Sequence, residues 1–325
     1  MQINAVFEGG GVKGIALAGA VGAAERRGLK FHQVAGTSSG AIVASLVAAG
    51  YNSEEMKRLI MATPFSSFLK RAPIFNTKII GPVTRLFLKK GLYSGEALEH
   101  WIHQLLLAKG IRTFGDLKFN QLRIIASDIS DRKLLVLPED IAQYGIDPKQ
   151  LLVSKAVRMS TSIPYFFDPV IVRKAASKKL PKQSFADQFA YIVDGGLLSN
   201  FPLWVFDQEN SPNFEVEQMV PTIGFQLVGR GSGQPNTIAG PVSMLKALFS
   251  TMMDAHDERY IEDANRFRTI KIPTLGVSVT DFDISNEKSK ELYEAGSLAG
   301  EHFFNKWKMA DYKQGYMEHV LRKKK

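Results

Sequence analysis

A serine between glycines is the first residue of this chain whose setting suits covalent chemistry. Ser38 lies in Gly36-Thr37-Ser38-Ser39-Gly40, a G-x-S-x-G pattern with one apolar segment before it and another after it. This is the pattern of a nucleophile elbow, in which a strand turns sharply into a helix and small neighbours let the two approach closely. The pattern therefore predicts that Ser38 is a nucleophile, with Gly36 and Gly40 allowing the close approach.

A serine hydroxyl needs a base, and Asp194 has the most suitable surroundings. It ends an apolar run, and Gly195 and Gly196 follow it, so the backbone there can approach another group closely. A carboxylate in this setting can take the serine proton directly, provided that its pKa suits the transfer. The histidines that follow Asp194 all lie in helical patterns beside charged residues, which indicates solvated surface: His256, His302 and His319. Asp194 is therefore the predicted base.

A glycine-rich turn precedes the serine and has more than one interpretation. Gly9, Gly11 and Gly14 match the G-x-G-x-x-G pattern of dinucleotide binding, which also needs an acidic residue about 20 positions further on. No Asp or Glu lies between Glu25 and Glu54, and the serine pattern occupies the place of the ribose contact. Backbone N–H groups at a helix N-terminus stabilise negative charge, which favours an oxyanion-binding turn. A turn with a purely structural role is the alternative.

The elements that must position these residues alternate regularly at the start of the chain. Residues 3–8 and 31–35 have strand patterns, and residues 12–27 and 40–49 have helical patterns. This order is typical of a parallel sheet with helices on both of its faces. The small residues of 12–27 predict a helix that packs close to the sheet.

Beyond residue 50 the elements become shorter, but the same types continue. The further strands are predicted at 121–127, 133–137, 191–193 and 222–228. The further helices are predicted at 150–159, at 241–267, over the last thirty residues, and after Ser94, which is the predicted N-cap. A polar insertion is predicted at 174–188. We expect one domain over 1–325, with a core at about 3–205 and a helical C-terminal extension at about 240–325.

Composition restricts the classes of function. The chain has 325 residues, 45% of them hydrophobic, and it contains no cysteine, so it has neither disulfides nor thiolate metal sites. No cluster of ligand residues suggests a metal or another cofactor, and none is expected. The first residues lack the pattern of a signal peptide, and no stretch is long and apolar enough to span a membrane, so a cytoplasmic protein is expected.

The net charge of +9 favours anionic partners, and a basic segment shows where some of this charge lies. Residues 57–95 combine many Lys and Arg with Phe, Leu and Ile side chains. One interpretation is a rim of the site that makes peripheral contact with an anionic membrane. The other is an ordinary core subdomain with a solvated basic face. Nucleic acid is not an expected partner.

Three motifs in this order give the chain a family resemblance. Residues 9–14 (Gly-Gly-Gly-Val-Lys-Gly), 36–40 (Gly-Thr-Ser-Ser-Gly) and 194–196 (Asp-Gly-Gly) resemble those of the patatin-like phospholipase family, particularly its bacterial members. Residues 156–170 also resemble the family's segment before its catalytic aspartate. The resemblance covers residues 3–205 well and the C-terminal third poorly. Lys13 departs from the family's usual arginine, which matters little if backbone groups act as the donors.

The resemblance implies a three-layer α/β/α sandwich with a mainly parallel central sheet, and hydrolysis of lipid acyl esters by a Ser–Asp dyad without histidine. Ser38 would be the nucleophile, Asp194 the base, and the backbone of Gly9, Gly10 and Gly11 the oxyanion hole. The supporting motif residues are Gly14, Gly36, Gly40, Gly195 and Gly196. Arg158 would meet a head-group phosphate or serve as a structural residue in an ion pair.

Together these observations predict a lipid acyl hydrolase of the phospholipase A, lysophospholipase or carboxylesterase type. Its substrate would be a phospholipid or another lipid ester. The alternative is a non-catalytic protein on the same fold that binds lipid or nucleotide.

Overall fold

The centre of the structure is a β-sheet whose middle strands run parallel. The computed structural model describes residues 1–69, 90–174, 188–207, 219–229 and 263–321, with residues 238, 240, 244, 247, 248 and 251 in addition. In these ranges the strands are β1 (Gln2–Phe7), β2 (Lys30–Thr37), β3 (Gly91–Tyr93), β4 (Leu122–Asp128), β5 (Lys133–Leu137), β6 (Tyr165–Phe167), β7 (Val170–Arg173), β8 (Phe189–Asp194), β9 (Thr222–Val228) and β10 (Thr269–Pro273).

The strand order of this sheet is β10-β9-β1-β2-β4-β8-β7. The first five strands of that order run parallel to one another. β8 pairs antiparallel with β4, β7 pairs antiparallel with β8, and β5 pairs antiparallel with β4. β3 and β6 form a separate two-stranded sheet. The predicted α/β class with a mainly parallel central sheet is confirmed, and two of the parallel strands, β9 and β10, come after residue 205.

Helices cover the face of the sheet that carries the main core. In the described ranges they are α1 (Ile15–Arg26), α2 (Ser39–Ala48), α3 (Ser53–Ala62), α4 (Glu96–Ala108), α5 (Val153–Ser160), α6 (Asn286–Lys306) and α7 (Met309–Tyr316). β1 is buried continuously from Ile3 to Phe7, as expected of a strand that is covered on both faces. Its Ala5 and Phe7 pack with the helices, while Val6 packs on the other face against Leu203 and Phe206.

The ends of β2 and β8 meet at β4. Thr37 at the end of β2 lies opposite Ile125, and Asp194 at the end of β8 lies opposite the next residue, Ala126. Because β5 occupies the other side of β4 along residues 124–128, β2 and β8 must share one side. They therefore run toward each other, and their carboxyl ends meet.

Helix α1 packs unusually close to helix α6. A Cβ atom on Gly296 would lie 1.8 Å from the carbonyl oxygen of Ala16, and one on Gly19 would lie 1.9 Å from that of Tyr293. Such distances allow no side chain, so the two backbones touch at these glycines. The small residues of α1 were predicted to allow close packing on the sheet, and the structure uses several of them for this helix–helix contact.

One predicted helix start is wrong, and several predictions lie outside the described residues. Gly95, not Ser94, is the N-cap of α4, although the Ser94 hydroxyl does accept the N–H of Glu96 at 3.3 Å. Gly95 has φ +66°, and a Cβ there would lie 2.4 Å from Cζ of Arg158, so only glycine fits. The predictions for 174–188, for 241–267 and for the middle of 57–95 fall mainly on residues that the structure does not describe.

Candidate active site

The backbone at Ser38 makes the sharp turn that the sequence predicts. Its φ of +54° and ψ of −124° are rare for a residue with a side chain, and such strain is held in place only by the surrounding structure. The N–H of Ser38 donates to Oγ of Ser160 at 2.8 Å, and that hydroxyl donates to the carbonyl oxygen of Ile125 at 2.6 Å. Ser160 thus ties the elbow to strand β4.

Glycines let the strand and the helix approach at this elbow. A Cβ atom on Gly36 would lie 2.3 Å from the carbonyl carbon of Gly40, and one on Gly40 would lie 2.2 Å from the carbonyl oxygen of Phe7. No other residue type fits at these distances. The requirement for small residues that the G-x-S-x-G pattern predicts is therefore met by direct backbone contact.

Ser38 and Asp194 form a buried hydrogen-bonded pair. Oγ of Ser38 donates to Oδ2 of Asp194 at 2.7 Å, and the exposed fractions of the two residues are 3% and 0%. Oδ1 of Asp194 accepts the N–H of Gly196 at 2.8 Å, and the N–H of Asp194 donates to the carbonyl oxygen of Ser162 at 2.9 Å. Both carboxylate oxygens and the backbone of this aspartate are therefore held in place.

Burial changes the proton affinity of this carboxylate. Desolvation raises the pKa of Asp194 to about 7, although the hydrogen bonds from Gly196 and Ser38 act in the opposite direction. Removal from water disfavours the charged form of a carboxyl group, while donors to that form favour it. A carboxylate with a pKa near neutrality can both accept and return a proton at physiological pH.

The three glycines of the turn differ in their hydrogen bonds. The N–H of Gly9 donates to the carbonyl oxygen of Asn200 at 3.1 Å, and the N–H of Gly10 donates to Oγ of Ser39 at 3.0 Å. The N–H of Gly11 contacts no acceptor within the described part of the chain. The N–H groups of Gly9 and Gly10 are therefore tied into the fold, and Gly11 is the one of the three glycines that lines the pocket described below.

Asn200 holds this glycine turn and was not predicted from the sequence. Besides accepting the N–H of Gly9, it donates from Nδ2 to the carbonyl oxygen of Gly9 at 3.2 Å. It lies six residues after Asp194, so one loop carries the carboxylate and also fixes the turn that precedes α1. The only sequence signal is a polar residue in the loop that the Asp-Gly-Gly motif begins.

An apolar pocket opens next to Ser38. It encloses about 820 Å³, counting the part open to solvent, and its polar lining side chains among the described residues are Ser38, Ser39 and Thr161. The apolar lining comes from several helices and from aromatic residues of the loops, and includes Ile15, Ala18, Ile42, Val43, Leu46, Met56, Leu59, Ile60, Phe65, Phe68, Leu98, Trp101, Ile163, Phe167 and Phe282. Such a lining suits a hydrocarbon chain.

Other candidate residues have structural positions. Arg158 is 4% exposed and donates to the Ser162 hydroxyl and to the carbonyl oxygens of Ser94 and Asp168, so it braces the chain around Asp194. No histidine of the described ranges hydrogen-bonds to Ser38 or Asp194; His256 lies outside those ranges. In the same ranges, no three side chains of metal-ligating type lie close enough to share an ion.

Comparison with known proteins shows the family and the fold of the chain. A family model described as patatin-like phospholipase matches residues 5–207. The Bacillus subtilis (strain 168) protein YqhO is 41% identical over 309 residues, which cover 94% of this chain and 99% of YqhO. Among solved structures, VipD from Legionella pneumophila has a TM-score of 0.54 at 16% identity, over 93% of this chain and 66% of VipD, and so shows the shared fold. The chain belongs to the patatin-like phospholipase family.

Proposed function

We propose that this protein hydrolyses acyl esters of lipids, with Ser38 as the nucleophile and Asp194 as the base. Family membership supports lipid hydrolysis as the general class of activity. The observation that carries the specific proposal is the 2.7 Å hydrogen bond from Oγ of Ser38 to Oδ2 of Asp194, because Ser38 also lines an apolar pocket. A structural serine–aspartate pair has no need of that pocket.

The reaction would begin with attack on the ester carbonyl. Oγ of Ser38 bonds to the carbonyl carbon while its proton moves to Oδ2 of Asp194. The carbonyl oxygen becomes an oxyanion, which we assign to the N–H groups of Gly10 and Gly11, with Gly9 holding the turn. The Gly10 N–H would exchange the neutral hydroxyl of Ser39 for the anion, because a charged acceptor forms the stronger hydrogen bond.

Collapse of this intermediate would release the alcohol and leave an acyl-enzyme. The carbon–oxygen bond to the leaving group breaks, and the alkoxide takes the proton from Asp194. A water molecule then attacks the acyl carbon, Asp194 accepts its proton, and the second collapse returns that proton to Oγ of Ser38 as the fatty acid leaves. Donors such as the glycine N–H groups typically contribute about 10²- to 10³-fold to kcat.

Reaction with a fluorophosphonate would test the nucleophile. The wild-type protein should be labelled and should hydrolyse acyl esters, whereas Ser38→Ala should lose both properties and keep its folded circular dichroism spectrum. The alternative function, non-catalytic binding of lipid or nucleotide, predicts no labelling of the wild type. A Ser38→Ala variant that retains a tenth of wild-type turnover would remove Ser38 from the mechanism.

We also propose that residues 57–95 bring the pocket to an anionic membrane surface. Phe65 and Phe68, which belong to this segment, line the pocket, whereas residues 70–89, which carry most of its Lys and Arg, lie outside the described ranges. Each lysine or arginine near an anionic surface contributes about 1 kcal/mol to binding. Charge reversal of Lys70, Arg71, Lys89 and Lys90 should therefore abolish sedimentation with anionic vesicles at low salt and spare hydrolysis of a soluble short-chain ester. Unchanged sedimentation would leave the basic segment without a membrane role.

A further inference from the structure

One face of helix α2 runs from Ser38 along the apolar pocket. The residues of α2 that line the pocket are Ser39, Ile42, Val43 and Leu46. Their spacing of three, four and seven residues places them on a single face of the helix. Helix α1 lines the pocket through Ile15 and Ala18, three residues apart, and α3 lines it through Met56, Leu59 and Ile60, where Leu59 and Ile60 follow Met56 by three and four residues. The pocket is therefore bounded by helix faces that share one apolar character.

Distance along α2 converts into a number of carbon atoms. An α-helix rises about 1.5 Å per residue, so Ile42 lies about 6 Å and Leu46 about 12 Å along the axis from Ser38. A zigzag chain with carbon–carbon bonds of about 1.5 Å advances roughly 1.3 Å per carbon. A straight chain attached to Oγ of Ser38 would then have about five carbons at Ile42 and about nine carbons at Leu46.

We propose that α2 determines which length of a single straight acyl chain the pocket prefers, through contacts of the chain with Ile42 and Leu46. This role of α2 is called the ruler. The inference rests on the proposed acyl hydrolysis and adds the substrate's chain length to it. The head group would stay outside, because the described lining carries no charged side chain. Both side chains line the pocket, so a larger side chain at either position would take up space that the acyl chain needs.

Two substitutions at different depths would test the ruler. The measurement is kcat/KM for straight-chain p-nitrophenyl esters from two to sixteen carbons, below their aggregation concentrations, divided by the value for the acetyl ester. In the wild type this ratio should rise by up to about fourfold per methylene, since burial of one methylene is worth about 0.8 kcal/mol. Ile42→Trp should stop the rise at about five carbons, and Leu46→Trp at about nine.

The matched control is Val47→Trp. Val47 is half-buried on the same helix and is absent from the pocket lining, so the ratio should follow the wild-type profile. If Leu46→Trp does not fold, Leu46→Phe places a smaller ring at the same depth and should stop the rise at the same chain length. A common cut-off for the two positions, or no cut-off in either variant, would overturn the ruler.

A binding measurement separates this inference from the catalytic proposal. Trp101 lines the pocket, so its fluorescence should respond when a saturated fatty acid binds to the Ser38→Ala variant. Affinity should increase with chain length, and Ile42→Trp in that background should end the increase at about five carbons. Length-dependent binding without any ester hydrolysis by the wild type would contradict the proposed function and leave the ruler standing. Ester hydrolysis by the wild type that does not depend on chain length would contradict the ruler and leave the proposed function standing.

Discussion

Asp194 combines full burial with an otherwise ordinary set of hydrogen bonds. Its position opposite Ala126 in the sheet keeps it out of water, and burial raises its pKa to about 7. A base of this strength suits transfer of the Ser38 proton at neutral pH. The proposed role as base and the raised pKa predict that activity and stability depend on pH in opposite directions.

Activity should fall on the acid side of neutrality. Because the base must be ionised, kcat/KM for a soluble ester should decrease tenfold per pH unit below a pKa of about 7. Asp194→Asn should lower kcat/KM by on the order of 10²-fold or more at pH 8. His302→Ala and His319→Ala serve as controls and should have mild effects. A pH profile that is flat from pH 5 to pH 8 would contradict the role of Asp194.

Stability should depend on the same proton in the other direction. The pKa of Asp194 is raised on folding from an ordinary value of 3.8 to about 7, so the folded protein binds more protons than the unfolded chain between these values. The contribution of Asp194 to stability is therefore full below about pH 4 and is lost as the pH rises through about 7. Chemical denaturation at pH 5 and pH 8 would measure this. The free energy of unfolding of Asp194→Asn minus that of the wild type should be larger at pH 8 than at pH 5.

At the scale of elements, the site depends on where strands end. The G-x-S-x-G and Asp-Gly-Gly motifs predicted that Ser38 and Asp194 each lie at the end of a strand. The alternation of the first fifty residues predicted β1, α1, β2 and α2. The meeting of β2 and β8 on one side of β4 was not predictable, because strand pairing joins residues distant in sequence. The same reason hid the contacts of Asn200 with the Gly9 turn.

The start of α4 shows a second limit of local patterns. Ser94 has the side chain of a good N-cap, and its hydroxyl does accept a helix N–H. The next residue is nevertheless the cap, because the φ of +66° at Gly95 is not helical and the helix can begin only after it. The guanidinium of Arg158, which is far away in sequence, leaves room only for glycine at this position. Tertiary packing therefore decided between two adjacent residues.

The contact between α2 and the end of β1 should control the position of Ser38. In Gly40→Ala, the new methyl group would lie 2.2 Å from the carbonyl oxygen of Phe7, so α2 must shift. Misplacement of a reacting group by about 1 Å can lower the rate about 10²-fold, and we expect a loss of that size in kcat/KM. Val47→Ala is the control, since it destabilises the same helix without moving the elbow. A Gly40→Ala rate close to wild type would show that the contact does not set the geometry.

At the scale of the molecule, α6 completes the packing of α1, the helix that follows the glycine turn. The backbones touch at Gly19 and Gly296, and α1 also contributes Ile15 and Ala18 to the pocket. The C-terminal third, where the family resemblance was poor, therefore supports the first helix of the chain. No helix in the described ranges combines the length and apolar character that crossing a bilayer requires.

Gly296→Ala should weaken the whole fold. The added methyl group would lie 1.8 Å from the carbonyl oxygen of Ala16, and overpacking of this kind typically lowers the free energy of unfolding by about 1–3 kcal/mol. Urea denaturation would measure the loss. Leu298→Ala, at an exposed position of the same helix, should change it by about 0.5 kcal/mol or less. Equal free energies of unfolding for Gly296→Ala and Leu298→Ala would show that the contact between α1 and α6 does not stabilise the fold.

The contact between α1 and α6 also has a consequence in time. The ribosome completes α1 by residue 26 and reaches the start of α6 only at residue 286. At about 5–20 residues per second, translation of the intervening chain takes on the order of 10 to 50 s. During that interval the surface of α1 around Gly19 lacks the partner that α6 provides, so a nascent protein would expose this small-residue surface to chaperones and to other nascent chains.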